Sequence, residues 1–288
     1  MNATASEHSQ KFLFLTELTA DLNRGEIELP SFPDVVLRIR KALEDEHCST
    51  EKLVQLISAE PVLAARLLSV ANSAALRPSG DPITDLNMAV NRIGRIMIRS
   101  SAMSFAMTQL QNAAKLETAR KHLEAIWQQC AHVAALCYVL SRKFTKLNAD
   151  EAMFVGLMHA IGRMYVLTRA DDFPSLFESR AEIEAIMEEW DCAIGSSIVE
   201  SWGFAEHVST AIRDFKDTER THEGDVDYTD ILILAYILYR FTTAAEDAEF
   251  TLDDVPASER LSITAADMMQ VLSESEEKVT SLRRALGN

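Results

Sequence analysis

Apolar residues recur at intervals of three and four along almost the whole 288-residue chain, and no alternation of period two persists beyond a few residues. That periodicity predicts helices throughout. A first amphipathic helix is expected over 6–22, with Phe12, Phe14 and Leu15 among its apolar positions and Gly25 closing it. Leu29-Pro30-Ser31-Phe32-Pro33 is held extended by its prolines, and Pro33 suits the first turn of the next helix, whose stripe is Val35, Val36, Ile39 and Leu43. Ser49 is placed to cap a third helix containing Leu53, Leu56 and Ile57. Pro61 opens a fourth, with Leu63, Leu67, Leu68 and Val70, which ends at Ala71-Asn72-Ser73-Ala74. There Asn72 is expected to stop the helix in left-handed geometry while Ser73 bonds a nearby carbonyl.

The segment 77–82 holds two prolines and a glycine and is a break. Helices are expected over 86–93 and 96–110, separated by Gly94, and a long one from about 115 to 144. Asn148 then reads as an N-cap answered by Glu151 at the capping-box position. Met153, Phe154, Leu157 and Met158 follow at helical spacing and deliver His159 in the last turn, before Gly162 breaks the helix and Met164 starts a second apolar segment. A helix beginning at Asp172-Phe173-Pro174-Ser175 includes Ile183, Ile186, Met187 and Trp190. After a polar linker over 217–227, helices are expected near 228–244 and 265–286, with Thr264 and Asp267 forming a capping box. The fold class is therefore all-α. We expect a two-lobed helical bundle with a lobe boundary near residue 110, the helix of residues 1–24 in front and a helical extension over 218–288 packed on the second lobe.

Composition narrows the classes without naming a function. Nine glycines and seven prolines suit a helical protein, and the apolar stretch 231–239 is far shorter than the ~20 residues a membrane span needs. The first residues show no basic region before an apolar run, so no signal peptide is expected and the chain reads as cytoplasmic. Cys48, Cys130, Cys137 and Cys192 form no CxxC and read as free thiols. Cys130 and His132 are two residues apart, on nearly opposite helix faces, which argues against a zinc pair. Charge is uneven: residues 1–170 carry 19 basic against 17 acidic side chains, residues 171–288 carry 9 against 27. An acidic half of this kind repels phosphate backbones, so no nucleic-acid partner is expected. The adjacent pairs Glu188-Glu189 and Glu276-Glu277 read as solvated faces.

Two sets of residues carry candidate chemistry. Arg92, Arg95 and Arg99 would share a face if the helix continued through Gly94, and could contact an anion or an acidic partner. The segment Gly156-Leu157-Met158-His159-Ala160-Ile161-Gly162-Arg163-Met164 resembles the "GLLHDIGKL" signature of the HD hydrolase superfamily, a helix delivering His and Asp to a metal centre. Ala160 stands where the metal-bridging aspartate belongs, and a methyl group has no lone pair. Gln129, in Trp127-Gln128-Gln129, stands where those hydrolases place a ligand histidine, and an amide is a poor metal ligand beside imidazole.

The order of motifs resembles the HDOD family, degenerate bacterial relatives of the HD hydrolases that are mostly associated with signalling. Leu29-Pro30-Ser31-Phe32-Pro33 matches its "LPxxP", and Leu67 through Ala74 its "LLxxANSA". Pro82-Ile83 and Ile93-Gly94 follow in order. Asp191 stands for a family histidine, and Ala211-Ile212-Arg213-Asp214-Phe215-Lys216 matches "AIRxHH" without either histidine. The resemblance covers about 25–217. It implies an HD-like second lobe with a vestigial pocket around Gln129, His159, Ala160, Asp191 and Asp214, no catalytic residues, no metal and no cofactor. The expected function is a non-catalytic regulatory module that contacts a protein partner in a signalling pathway. The alternatives are an HD-type phosphohydrolase with atypical ligands and a small-ligand sensor using the vestigial pocket.

Overall fold

A computed structural model describes residues 2–24, 33–45, 47–76, 81–113, 117–170, 172–173, 177, 180–243 and 255–285. Among these are thirteen helices and no strand: α1 (Asn2–Arg24), α2 (Asp34–Glu44), α3 (Thr50–Ser58), α4 (Pro61–Ala71), α5 (Leu86–Ala113), α6 (Glu117–Phe144), α7 (Ala149–Met158), α8 (Ile161–Thr168), α9 (Arg180–Ser201), α10 (Glu206–Asp214), α11 (Tyr228–Thr243), α12 (Pro256–Leu261) and α13 (Ala265–Ala285). The expected roles of Gly25, Leu29 to Phe32, Arg77 to Gly80, and Pro174-Ser175 lie outside the described residues.

Helix α3 packs on α2 and α4, and all three pack on α5, while α6 packs on α7, α8, α11 and α13, and α9 lies between α8 and α10. The expected lobe boundary near 110 falls inside α5, which touches α2, α3 and α4 as well as α6 and α7. The buried apolar side chains on both sides of it belong to one continuous cluster. Helix α13 likewise reaches both α4 and α6. Helix α1 is fastened to α8 by Arg169, which pairs with Glu17 at 2.6 Å and Asp21 at 3.2 Å, and by the edge-on Phe14–Phe173 contact.

Two glycines set geometry that the site depends on. Gly94 has φ 74° and divides α5 into two axes, a conformation that costs a side-chain-bearing residue about 1 kcal/mol or more. Gly162 does not break a helix as the sequence predicts. It lies inside α8, and the break falls two to three residues earlier, at His159 and Ala160. A Cβ on Gly162 would come 2.0 Å from the Asp191 carbonyl oxygen, so its absence is what lets α8 and α9 cross so closely.

The Ala71-Asn72-Ser73-Ala74 corner also differs from expectation. Asn72 has φ −97° and ψ 2°, not left-handed geometry. Its side-chain carbonyl accepts from the Ile83 N–H at 2.8 Å, and its amide donates to Ile83 O at 2.7 Å and to Leu68 O at 2.8 Å. The asparagine thus clamps the end of α4 to the Pro82-Ile83 step, which explains why the two motifs occur together. The Ser73 hydroxyl, expected to bond a carbonyl, is buried without a protein partner.

Two outcomes follow for stability. Asn72→Ala removes three partly buried hydrogen bonds and is expected to cost about 2–3 kcal/mol in urea unfolding. Gly162→Ala forces side chain into backbone and is expected to cost about 3 kcal/mol or more, exceeding the loss at Gly94→Ala; equal or smaller loss at Gly162 would refute the close-crossing account.

Candidate functional site

His159 lies at the α7–α8 junction with 1% of its surface exposed. Its Nδ1 is 2.7 Å from Gly156 O, and its Nε2 is 3.0 Å from the Gln129 Nε2 amide. A carbonyl oxygen can only accept, so Nδ1 carries a hydrogen. An amide nitrogen can only donate, so Nε2 offers its lone pair to Gln129. This tautomer is assigned from the hydrogen-bond network. Burial, with the nearby Arg163 and Lys216 charges, pushes the ring's pKa down to about 4 despite the opposing bond to Gly156. Phe215 and Tyr236 close over the ring, with centroids 5.4 Å and 5.8 Å away.

Asp191, in the middle of α9, is buried without touching His159. Its Oδ1 is 2.9 Å from Lys216 Nζ, and its Oδ2 is 4.0 Å from Arg163 Nε. Arg163 also donates to Glu184 at 2.7 Å. Burial pushes the Asp191 carboxyl above its ordinary value, only partly opposed by Lys216 and Arg163. Burial works against the Lys216 ammonium too, but there the bond to Asp191 prevails and the pKa is raised. Lys216 occupies the second histidine position of the "AIRxHH" motif and Phe215 the first, so one substitution places a cation beside Asp191 and the other fills space against His159.

The remaining predicted residues separate. Ala160 is buried, and its backbone approaches the Cys130 thiol, which burial pushes up to about 12. Asp214 is drawn to Arg213 at 3.3 Å, with a third of its side chain exposed, and makes no contact with the His159 pocket. Gly94 sets Arg92 apart from Arg95 and Arg99, which line one cleft with Leu43 and Glu44. Arg92 reaches Leu76 O at 3.0 Å. Arg95 donates to Leu43 O at 2.6 Å and Asp45 O at 2.7 Å, satisfying the carbonyls at the end of α2. Arg99 pairs with Glu151 at 2.6 Å and lies 3.8 Å from the Phe154 ring centroid.

That last pair corrects the predicted capping box. The Asn148 side chain does accept from the Asp150 and Glu151 N–H groups. Glu151 does not reach back; it spans Arg99 on α5 and His207 on α10, the latter at 3.1 Å. Its burial would raise the carboxyl pKa, but His207 and Arg99 together hold it below the ordinary value.

One further group was invisible at the level of motifs. His222, Asp227 and Asp230 form the only cluster among the described residues with the ligand atoms for a metal ion. Arg220 already sits within it, 2.7 Å from Asp227 and 3.4 Å from Asp230. A guanidinium supplies the positive charge there, and the cluster ties the 217–227 segment to α11.

The HDOD domain profile matches residues 29–218. The chain belongs to the HDOD family. Among solved structures it resembles a Shewanella amazonensis protein provisionally named a metal-dependent phosphohydrolase (TM-score 0.76, 24% identity, 96% of this chain and 99% of that one). It also resembles an HDOD domain protein of unknown function from Geobacter sulfurreducens, with TM-score 0.65, 20% identity, and 94% and 96% of the two chains covered. These likenesses show the fold alone. An uncharacterized protein of Treponema pallidum is 24% identical over 260 residues, and the chain spans 84% of its own length but only 47% of that relative's.

A divalent ion, which the HD superfamily implies, does not fit the residues around His159. Ala160 offers no donor, the His159 lone pair is engaged by Gln129, and Arg163 and Lys216 place two positive charges around Asp191.

Two measurements check this electrostatic account. A neutral His159 with a pKa near 4, against 6.5 when unfolded, makes the unfolded chain bind more protons between those values. Stability therefore falls as pH drops through that window, by about 2 kcal/mol for this residue between pH 7 and pH 5. His132, also pushed to about 4 by burial and Arg283, adds a slope of its own. The expected result for His159→Gln is a pH 7 to pH 5 loss smaller than that of the unaltered protein by about 2 kcal/mol. Lys216→Met strips the buried Asp191 of its nearest cation, leaving only Arg163 at 4.0 Å, and is expected to cost about 3 kcal/mol or more at pH 7. That penalty should shrink in acid as Asp191 takes up a proton; a penalty independent of pH would exclude the pairing.

Proposed function

We propose that this HDOD protein is a non-catalytic regulatory module that acts through protein contacts in a signalling pathway. The observation that carries the reading is the state of His159, the one histidine the signature segment retains, with both nitrogens engaged within the fold. Chemistry on a phosphoester in an HD-type site needs a metal to polarise a phosphoryl oxygen and to lower the pKa of bound water. The pocket instead offers packed aromatic rings, the Lys216 ammonium paired with Asp191 and the Arg163 guanidinium bonded to Glu184. A Marinobacter aquaeolei protein provisionally named a signal transduction protein shares the fold, with TM-score 0.62 and 19% identity over all of this chain and 67% of that one; that name supports the signalling context. No described helix is long and apolar enough to cross a membrane.

The test is elemental analysis of protein purified without chelator, joined to a phosphomonoester and phosphodiester turnover screen with added manganese, magnesium or zinc. The expected result is no stoichiometric metal and no chelator-sensitive turnover. A metal bound one to one, with hydrolysis abolished by chelation and by His159→Ala, would replace this reading with the phosphohydrolase one.

A further inference from the structure

A cleft of about 590 Å³ separates the end of α4 from α13, within the size range of small-ligand sites, roughly 300–1,000 Å³. It differs in character from the His159 pocket: open, and without an aromatic side chain in its lining. One wall is the Asn72-Ser73-Ala74 corner. The other is a single stripe of α13, in which Glu276 and Glu277, then Thr280 and Ser281, then Arg284 recur at helical spacing. Two packed helices ordinarily meet through apolar side chains; here the half-buried Thr280 and Ser281 face the corner, and the exposed Glu276, Glu277 and Arg284 rim the cleft.

Three observations point to a ligand. The Ser73 hydroxyl, in a residue only 5% exposed, has no protein partner, and buried hydroxyls are seldom left so. Ser281 Oγ accepts from the Ala74 N–H at 2.8 Å, which pins α13 to the corner and leaves its own hydrogen free to donate. Glu276, Glu277 and Arg284 make no ion pair with a described residue, although they border the same cleft. Carboxylates therefore stand at one end of the stripe, a guanidinium at the other and hydroxyls between. Glu276 and Arg284 are eight residues apart, about 12 Å along the helix, a span comparable to a chain of roughly three extended residues.

We propose that this cleft binds a short peptide with free ends. Its ammonium meets Glu276 and Glu277, its carboxylate meets Arg284, and its backbone amides bond Ser73 and Thr280. The absence of aromatic lining disfavours a nucleobase, which needs a stacking face. Because α13 lies beyond the HDOD match of residues 29–218, the site belongs to the join between the family domain and the C-terminal helix. Occupancy would hold that helix against α4.

The probe is trialanine, titrated into the full chain by calorimetry and thermal unfolding, beside N-acetyl-trialanine amide. Trialanine is expected to bind and to raise the unfolding temperature, and the doubly blocked peptide to bind at least about tenfold more weakly. Ser73→Ala and Arg284→Met are each expected to weaken trialanine at least about fivefold with helix content unchanged by circular dichroism. The proposal is overturned if trialanine gives neither heat nor stabilisation up to about 10 mM, if the blocked peptide binds equally well, or if both variants bind trialanine undiminished. None of these results bears on the regulatory reading of the His159 pocket, which rests on different residues.

Discussion

The Gly156 carbonyl and the Gln129 amide take the two nitrogens of His159, and the surroundings of that ring follow from its neutrality. A neutral imidazole can be sealed in an apolar pocket at little cost, whereas a charged one cannot. Phe215 and Tyr236 can then close over it, and Ala160 can pack beside it without leaving a donor unsatisfied. The same burial keeps the proton off at ordinary pH.

A second consequence concerns charge. The close crossing of α8 and α9 at Gly162 buries Asp191, and a buried carboxylate needs a cation nearby. Lys216 supplies one from the end of α10, tethered to the chain. A buried ion pair of this kind adds little net stability, since each partner loses its hydration, yet either partner left alone is expensive. Asp191 and Lys216 are therefore coupled, and the pocket keeps its shape with charges that belong to the protein itself.

The sequence carried the helices well because apolar periodicity and local caps are short-range. Ser49, Asn148 and the Thr264–Asp267 pair all cap as their spacing predicts. The HDOD order of motifs was also legible. What the sequence hid is long-range. Lys216 meets Asp191 across 25 positions and Arg99 meets Glu151 across 52; no local pattern announces either. Glu151 misled for that reason, because a carboxylate at a capping position is equally able to turn toward a guanidinium on another helix. Asn72 misled in the opposite way: its residue type fits a helix stop, but its amide does more by clamping Ile83. The short helix α12 escaped because six residues give too little periodicity to read.

The most direct test of the central claim is a long-range proton–nitrogen spectrum of His159 in protein with labelled histidine, recorded from neutral pH down to about pH 5 with and without added zinc or manganese. The account predicts a neutral ring protonated at Nδ1, with an Nε2 resonance that neither titrates over that range nor responds to metal. A ring that gains its second proton near pH 6–7, or an Nε2 signal displaced or broadened specifically by one equivalent of metal, would contradict it.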